Sequence, residues 1–175
     1  MHLFTPSNRD AEMKRTVMET PLGRMAIEAE KNAITAVFYT DEAVMASEDQ
    51  LLQEAQKQLQ QYFAGMRKEF DLPLKPEGTP FQLAAWEALQ KIPYGETRTY
   101  GQQAAMMGKA AAARAAGGAN HKNPIAIIIP CHRVVAADGM GGYAAGADKK
   151  QFLLALEKRT VQREREEEAC RKQKG

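Results

Sequence analysis

At 175 residues, 44% of them hydrophobic, the chain can bury the core of one fair-sized domain or two small ones, and a net charge of +2 is too weak by itself to argue for a nucleic-acid partner. Two cysteines, Cys131 and Cys170, form no spaced disulfide framework, and three histidines, His2, His121 and His132, stand apart from any zinc-ligand grouping, so a reducing compartment, no structural metal and no cofactor are expected. No run approaches the roughly 20 apolar residues of a membrane span, and the start MHLFTPSNRDAEMKR lacks the apolar stretch of a signal peptide, which predicts a soluble, cytoplasmic protein with no membrane contact.

After the polar leader, Lys14 to Glu19 reads as a short strand. Pro21, Leu22 and Gly23 supply turn chemistry before a second run, Met25 to Glu30. Lys31 and Asn32 then turn into Ala33 to Tyr39, completing an antiparallel meander. Ser47 with Gln50 three residues on forms a capping-box signature, and Leu52, Ala55, Leu59 and Tyr62/Phe63 follow at helical spacing up to Gly65. This helix is expected to cover one face of the sheet. Phe70, Leu72 and Leu74 alternate around Pro73 as a short edge strand, and Lys75 to Gly78 is the best linker candidate.

From Thr79 the pattern turns helical. Thr79, Pro80 and Gln82 give an N-cap, a first-position proline and a third-position glutamine, and Phe81, Ala85, Trp86 and Leu89 form a buried stripe that Ile92-Pro93-Tyr94-Gly95 ends. Thr99 to Gln102 repeats the capping signature and opens a helix to about Met107. Gly108 then permits a turn into a second helix from Ala110 to about Ala119, a helix-turn-helix pattern. Ile125 to Ile129, between Pro124 and Pro130, reads as a buried strand. Asp148 is placed to cap a last helix carrying Phe152, Leu153 and Leu156, beyond which mixed charge predicts a solvated helical extension or a frayed tail.

The informative stretch is Pro130-Cys131-His132-Arg133-Val134-Val135, a thiol and an imidazole side by side after a buried segment. A lone cysteine is more often a small core residue, and neighbouring side chains in extended backbone point apart, so the pair alone would not argue for chemistry. Its surroundings do. Residues 123–157, NPIAIIIPCHRVVAADGMGGYAAGADKKQFLLALE, together with TPFQLAAWEALQKIPYGETRTYGQQAAMMGKAAAARAAGGAN upstream, resemble the O6-alkylguanine-DNA alkyltransferases, the methylated-DNA-protein-cysteine methyltransferases. The resemblance is strong from about Thr79 to Glu157 and general in layout over residues 14–74.

The resemblance implies an α+β fold: a small antiparallel sheet with a helix, similar to ribonuclease H, over residues 1–76, a mostly helical domain with the helix-turn-helix and the cysteine over residues 77–158, and a charged extension over residues 159–175. Cys131 matches the alkyl acceptor, which must be a thiolate to displace guanine from saturated carbon. His132 matches the residue taking the thiol proton through a water, Glu157 the carboxylate orienting that histidine, and Asn123 an asparagine tying the cysteine loop to the DNA-binding helices. Tyr143, in GGYAAG, matches the lid over a flipped base. Arg114 matches the side chain that replaces the extruded nucleotide, and Tyr100 one that presses on the target phosphate. Val134, Thr99, Gln102, Ala144, Ala145 and Lys150 complete the set expected on substrate or DNA. Lys109, His121 and Lys122 add charge beside it. The family departs from this chain at Ala144 and Ala145, where serine or glycine is common, and the charged extension is peculiar to this chain.

The implied activity is direct, stoichiometric and irreversible transfer of an alkyl group, chiefly methyl, from guanine O6 in double-stranded DNA to Cys131 after minor-groove binding and base flipping, by a monomer in the cytoplasm or, in a eukaryote, the nucleus. O4-alkylthymine is a second candidate substrate. Two rivals stand beside it. A non-catalytic relative that recognises alkylated bases would lack the cysteine. A helix-turn-helix transcription regulator would carry bulky polar residues on its second helix, where AAAARAAGGAN has almost none.

Overall fold

A computed structural model describes residues 12–174. The polar leader through residue 11, with His2, lies outside the described residues. The chain divides into two compact units, one of residues up to Thr79 together with Pro124–Ile128, the other of Pro80–Asn123 and Ile129 onward.

The first unit is built on a three-stranded antiparallel sheet of β1 (Lys14–Thr20), β2 (Gly23–Glu30) and β3 (Ala33–Tyr39) in the order β1-β2-β3. Lys31 and Asn32 both take positive φ (50° and 60°), the left-handed pair whose twist suits a two-residue hairpin. Helix α1 (Gln50–Phe63) packs on this sheet and buries Leu52, Ala55, Leu59 and Tyr62, as the periodicity predicts. Its cap differs from expectation. Asp49 is the N-cap, accepting from Leu52 N at 3.1 Å, while Ser47 Oγ accepts from Asp49 N, because a carboxylate nearer the helix start outcompetes the hydroxyl for the free amides.

Two expected strands do not form. Between Phe70 and Leu74 only one bridge to β3 exists, closed by Ile34 N to Pro73 O and Lys75 N to Ile34 O, both 2.8 Å. Pro73 has no amide to extend it, and the buried side chain of Gln58 takes both backbone groups of Asp71 instead. In Ile125–Ile129 a single bridge joins Ile125 to Val37, after which Ile127 turns at φ 70° and Ile128 N bonds Ala126 O at 2.8 Å. The segment is buried as expected, but it is a tight turn.

The second unit holds α2 (Pro80–Gln90), α3 (Tyr100–Met106), α4 (Ala113–His121), a single 3-10 turn (Cys131–Arg133) and the long α5 (Ala147–Gln173). The two-residue strands β4 (Arg98–Thr99) and β5 (Val134–Val135) pair in parallel. Helix α2 buries Ala85, Trp86, Ala88 and Leu89, whereas Phe81 is only half-buried and has the Lys109 ammonium 5.2 Å from its ring centre. Helix α4 starts three residues later than the expected Ala110. Helix α5 begins after Gly146 with Asp148 in its first turn and not at the cap, and it continues through the charged segment without fraying before Gln173. No helix among the described residues is long and apolar enough to cross a membrane.

The helix-turn-helix is fixed by buried polar pairs. Gln103 and Asn120 exchange amide hydrogen bonds of 2.8 and 2.7 Å, Gln103 also donates to Ala85 O, and Trp86 Nε1 donates to Ala119 O at 2.8 Å. Truncating Asn120 to alanine leaves the buried Gln103 amide without its partner, so urea unfolding is expected to show a loss of about 1–3 kcal/mol. An unchanged unfolding midpoint for Asn120→Ala would remove this pair from the account of how α3 and α4 are held.

Candidate active site

Cys131 opens the 3-10 turn, and its amide bonds Ile129 O at 2.8 Å, so the thiol sits on backbone fixed from both sides. It is 9% exposed. Burial pushes the thiol up from its ordinary range, opposed by the Asn123 side chain against it and by the positive charge of Lys150. Asn123 also donates from Nδ2 to Ile129 O at 2.8 Å, bracing the cysteine loop.

One residue further on, His132 is fully buried, and its Nε2 lies 2.6 Å from Glu157 Oε2. Glu157 reaches this point from the third turn of α5, on the buried face that it shares with Lys150, Leu153, Leu156 and Thr160. The carboxylate collects further donors: Arg133 Nε at 2.8 Å and Gly95 N at 3.0 Å on Oε1, and Arg133 Nη2 at 3.1 Å on Oε2. Burial alone would push Glu157 up. The hydrogen bonds and charges of His132 and Arg133 outweigh it and bring the group down to about 2. Glu157 is therefore ionised and only accepts, which assigns the proton on His132 to Nε2 and leaves a lone pair on Nδ1. That Nδ1 is buried and has no hydrogen-bond partner among the described residues. Burial lowers His132, with Arg133 and Lys150 adding to the effect and Glu157 opposing it, so the imidazole is neutral at pH 7.

Lys150 is buried without an acid partner. Its ammonium donates to Val134 O and, at 3.0 Å, to Gly142 O, and burial lowers it while the nearby Cys131 pulls the other way. It thus ties β5 to the loop ahead of α5. Tyr100 ties the same loop to α3, since its hydroxyl accepts from Gly142 N at 3.2 Å and a β-carbon at Gly141 would lie 2.7 Å from it. Tyr143 is half-buried in this loop, Ala145 is half-buried and Ala144 exposed.

Of the residues predicted from sequence, the structure therefore gathers Cys131, Asn123, Lys150, His132 and Glu157, with Val134 contributing its carbonyl. Thr99 and Gln102 form the capping box of α3, as the sequence predicts, at 2.8 and 3.1 Å. Arg114 is exposed and bonds to none of the described residues. It shares an outward face of α4 with Ala115, Gly118, His121 and Lys122, while Ala116, Ala119 and Asn120 are buried. Sequence reasoning missed Arg133 and Gly95. Arg133 stands inside PCHRV, and a buried arginine requires a buried acid, the one signal that could have paired it with Glu157.

Residues 13–76 match the family model of the 6-O-methylguanine DNA methyltransferase ribonuclease-like domain, and residues 80–159 that of the DNA binding domain of the same family. A methylated-DNA–protein-cysteine methyltransferase of Methanosarcina acetivorans is 44% identical over 153 residues, covering 83% of this chain and 98% of the relative. The constitutive methyltransferase of that name from Bacillus subtilis is 44% identical over 155 residues, covering 82% of this chain and 94% of the relative. Among solved structures, the O6-methylguanine methyltransferase of Mycobacterium tuberculosis superposes with a TM-score of 0.78 at 39% identity, over 85% of this chain and 94% of that one. A complex of the enzyme from that organism with DNA gives 0.76 at 41%, over 83% and 93%.

The shifts set the response to acid. Glu157, lowered from 4.5 to about 2, contributes stability that is complete above pH 4.5 and is lost as pH falls toward 2, on the order of 3 kcal/mol. His132, lowered from 6.5, acts in the same direction, because the unfolded imidazole takes up a proton that the folded one refuses. Urea-unfolding midpoints are thus expected to fall from about pH 6.5 downward and more steeply below about pH 4.5. Glu157→Gln should be less stable at neutral pH and lose the steeper limb. The same acid slope in both proteins would contradict an ionised Glu157 in the folded state.

Proposed function

The chain belongs to the 6-O-methylguanine DNA methyltransferase family, and on that footing we propose that it repairs DNA by moving the alkyl group of O6-alkylguanine onto Cys131 Sγ, with His132, Glu157, Asn123 and Lys150 preparing the sulfur. The protein is a methylated-DNA–protein-cysteine methyltransferase in activity, binds DNA and transfers methyl to a cysteine. The finer assignments rest on one observation: a buried thiol is followed directly by a neutral imidazole whose unshared Nδ1 lone pair is backed by an ionised carboxylate.

The Cys131 proton passes to His132 Nδ1 through a bridging water, and Glu157 stabilises the imidazolium that forms. Lys150 stabilises the thiolate, and Asn123 holds it in place. Sulfur attacks the alkyl carbon, the carbon–O6 bond breaks with its electron pair going to guanine, and the proton taken from the thiol neutralises the guanine anion. Atoms and charge balance without a cofactor. The product is a thioether with no easy leaving path, so each molecule acts once.

To reach sulfur, the base must leave the duplex. The small-residue face of α4 allows close approach to the minor groove, Arg114 fills the vacated stack, Tyr100 presses on the phosphate, and Tyr143 with Ala144 and Ala145 covers the extruded base. Residues 77–158 carry this work, and the protein acts as a monomer. Methyl is the preferred group.

Cys131→Ser is expected to abolish adduct formation on duplex DNA containing O6-methylguanine while leaving duplex affinity within about twofold. Intact-mass and peptide spectra should place one added methyl on Cys131 of the parent protein and none on Cys170. A methyl on any other residue overturns the assignment of the acceptor.

Arg114→Ala should slow single-turnover repair of duplex by orders of magnitude at saturating DNA, since the few kcal/mol of unstacking are no longer offset. Reaction with the free O6-alkylguanine base, which needs no extrusion, should be unchanged. Equal losses on both substrates, or none on either, would take Arg114 out of flipping.

A further inference from the structure

The loop 92–97 and the part of α5 beyond Glu157 meet in a contact that the chemistry above leaves unused. Gly95 has a left-handed backbone (φ 80°), and a β-carbon there would lie 2.6 Å from Val161 Cγ2 and 3.8 Å from Glu157 O. The loop is therefore pressed onto α5 one turn past the carboxylate, at a point where only glycine fits. This same residue supplies the amide that reaches Glu157 Oε1 at 3.0 Å.

Ahead of Gly95 the loop is pinned again. Ile92 O accepts from Arg133 Nη1 at 2.8 Å, and the Tyr94 ring centre lies 5.5 Å from the Arg133 guanidinium. Thr160, just ahead of Val161 on α5, is buried, and its hydroxyl donates to Leu156 O at 2.9 Å. Val161 thus backs the loop residue that donates to Glu157.

We propose that Val161 is a positioning residue for alkyl transfer: by clamping Gly95 it sets the rotation of the Glu157 carboxylate against His132. The proposal rests on the reading of His132 as the proton acceptor. A carboxylate held by a fixed amide keeps one oxygen aimed at Nε2, and a ring whose partner turns away is a weaker base. The thiolate then forms only at higher pH.

The test measures single-turnover transfer from free O6-alkylguanine base against pH, so that DNA binding does not enter. Val161→Ala opens the clamp and is expected to slow the reaction on the order of tenfold at neutral pH, with the rising limb of the profile moved up by about one pH unit. Gly95→Ala should slow it more, and Gly95→Ala with Val161→Ala should be faster than Gly95→Ala alone, because the second change makes room for the added methyl. A Val161→Ala profile identical to that of the parent, or lowered equally at every pH, overturns the proposal, and so does a double variant no faster than Gly95→Ala. If Gly95→Ala does not yield folded protein, the Val161→Ala profile decides alone. Failure of the parent protein to alkylate Cys131 would instead sink the functional reading itself.

Discussion

The buried carboxylate of Glu157 is the group around which the second unit is organised. A charge in a protein interior persists only if its lone pairs are met, and here donors reach the acid on α5 from two other places in the sequence, the loop at Gly95 and the 3-10 turn at His132 and Arg133. Because the carboxylate must be satisfied, these segments cannot shift independently. The cysteine, one residue ahead of His132, inherits that fixity.

The charges around the thiol are unequal in sign. Arg133 and Lys150 bring two cations against the single anion of Glu157, and these charges act on the two neighbouring groups together with their burial. Burial, with the two cations adding to it against Glu157, disfavours imidazolium, so His132 rests neutral with an open Nδ1; at the thiol, burial is opposed by Asn123 and by the charge of Lys150, which favour thiolate. On the proposed reading, reactivity is held in a neutral thiol–imidazole pair that converts to an ion pair when it acts. Alkylation removes the sulfur's ability to carry charge, which leaves the cluster intact and the nucleophile spent.

Much of this was legible in the sequence where periodicity or capping chemistry is local: the three strands of the meander, α1 and α2, and the capping box at Thr99 and Gln102. Cys131, His132 and Glu157 were legible through the pattern around them. What sequence could not give depended on distant partners. Ile125–Ile129 has the composition of a strand, yet Ile127 turns because only Ile125 finds a paired neighbour in β3. The Ser47 cap lost to Asp49 two residues on, a competition that the capping pattern alone does not rank. Arg133 resembles a surface cation in one dimension, and its buried acid lies 24 residues away. The role of Gly95 as a donor to Glu157 spans 62 residues and has no local signal at all.

The same cluster bears on the rival reading of the chain as a helix-turn-helix regulator. A regulator needs α3 and α4 held in place, and the neutral pair Gln103–Asn120 with Trp86 on Ala119 O already does that. It has no use for a buried arginine, a buried lysine, an ionised glutamate and a neutral histidine beside a thiol, since burying such charges usually contributes no more than well-packed apolar residues of similar volume would. Strongly shifted groups gathered around a nucleophile point to chemistry. The face of α4 agrees: Ala115 and Gly118 offer no hydrogen bonds with which to read base edges, while a smooth surface bearing Arg114 suits a protein that needs close approach to any sequence and one long side chain to occupy the gap it makes.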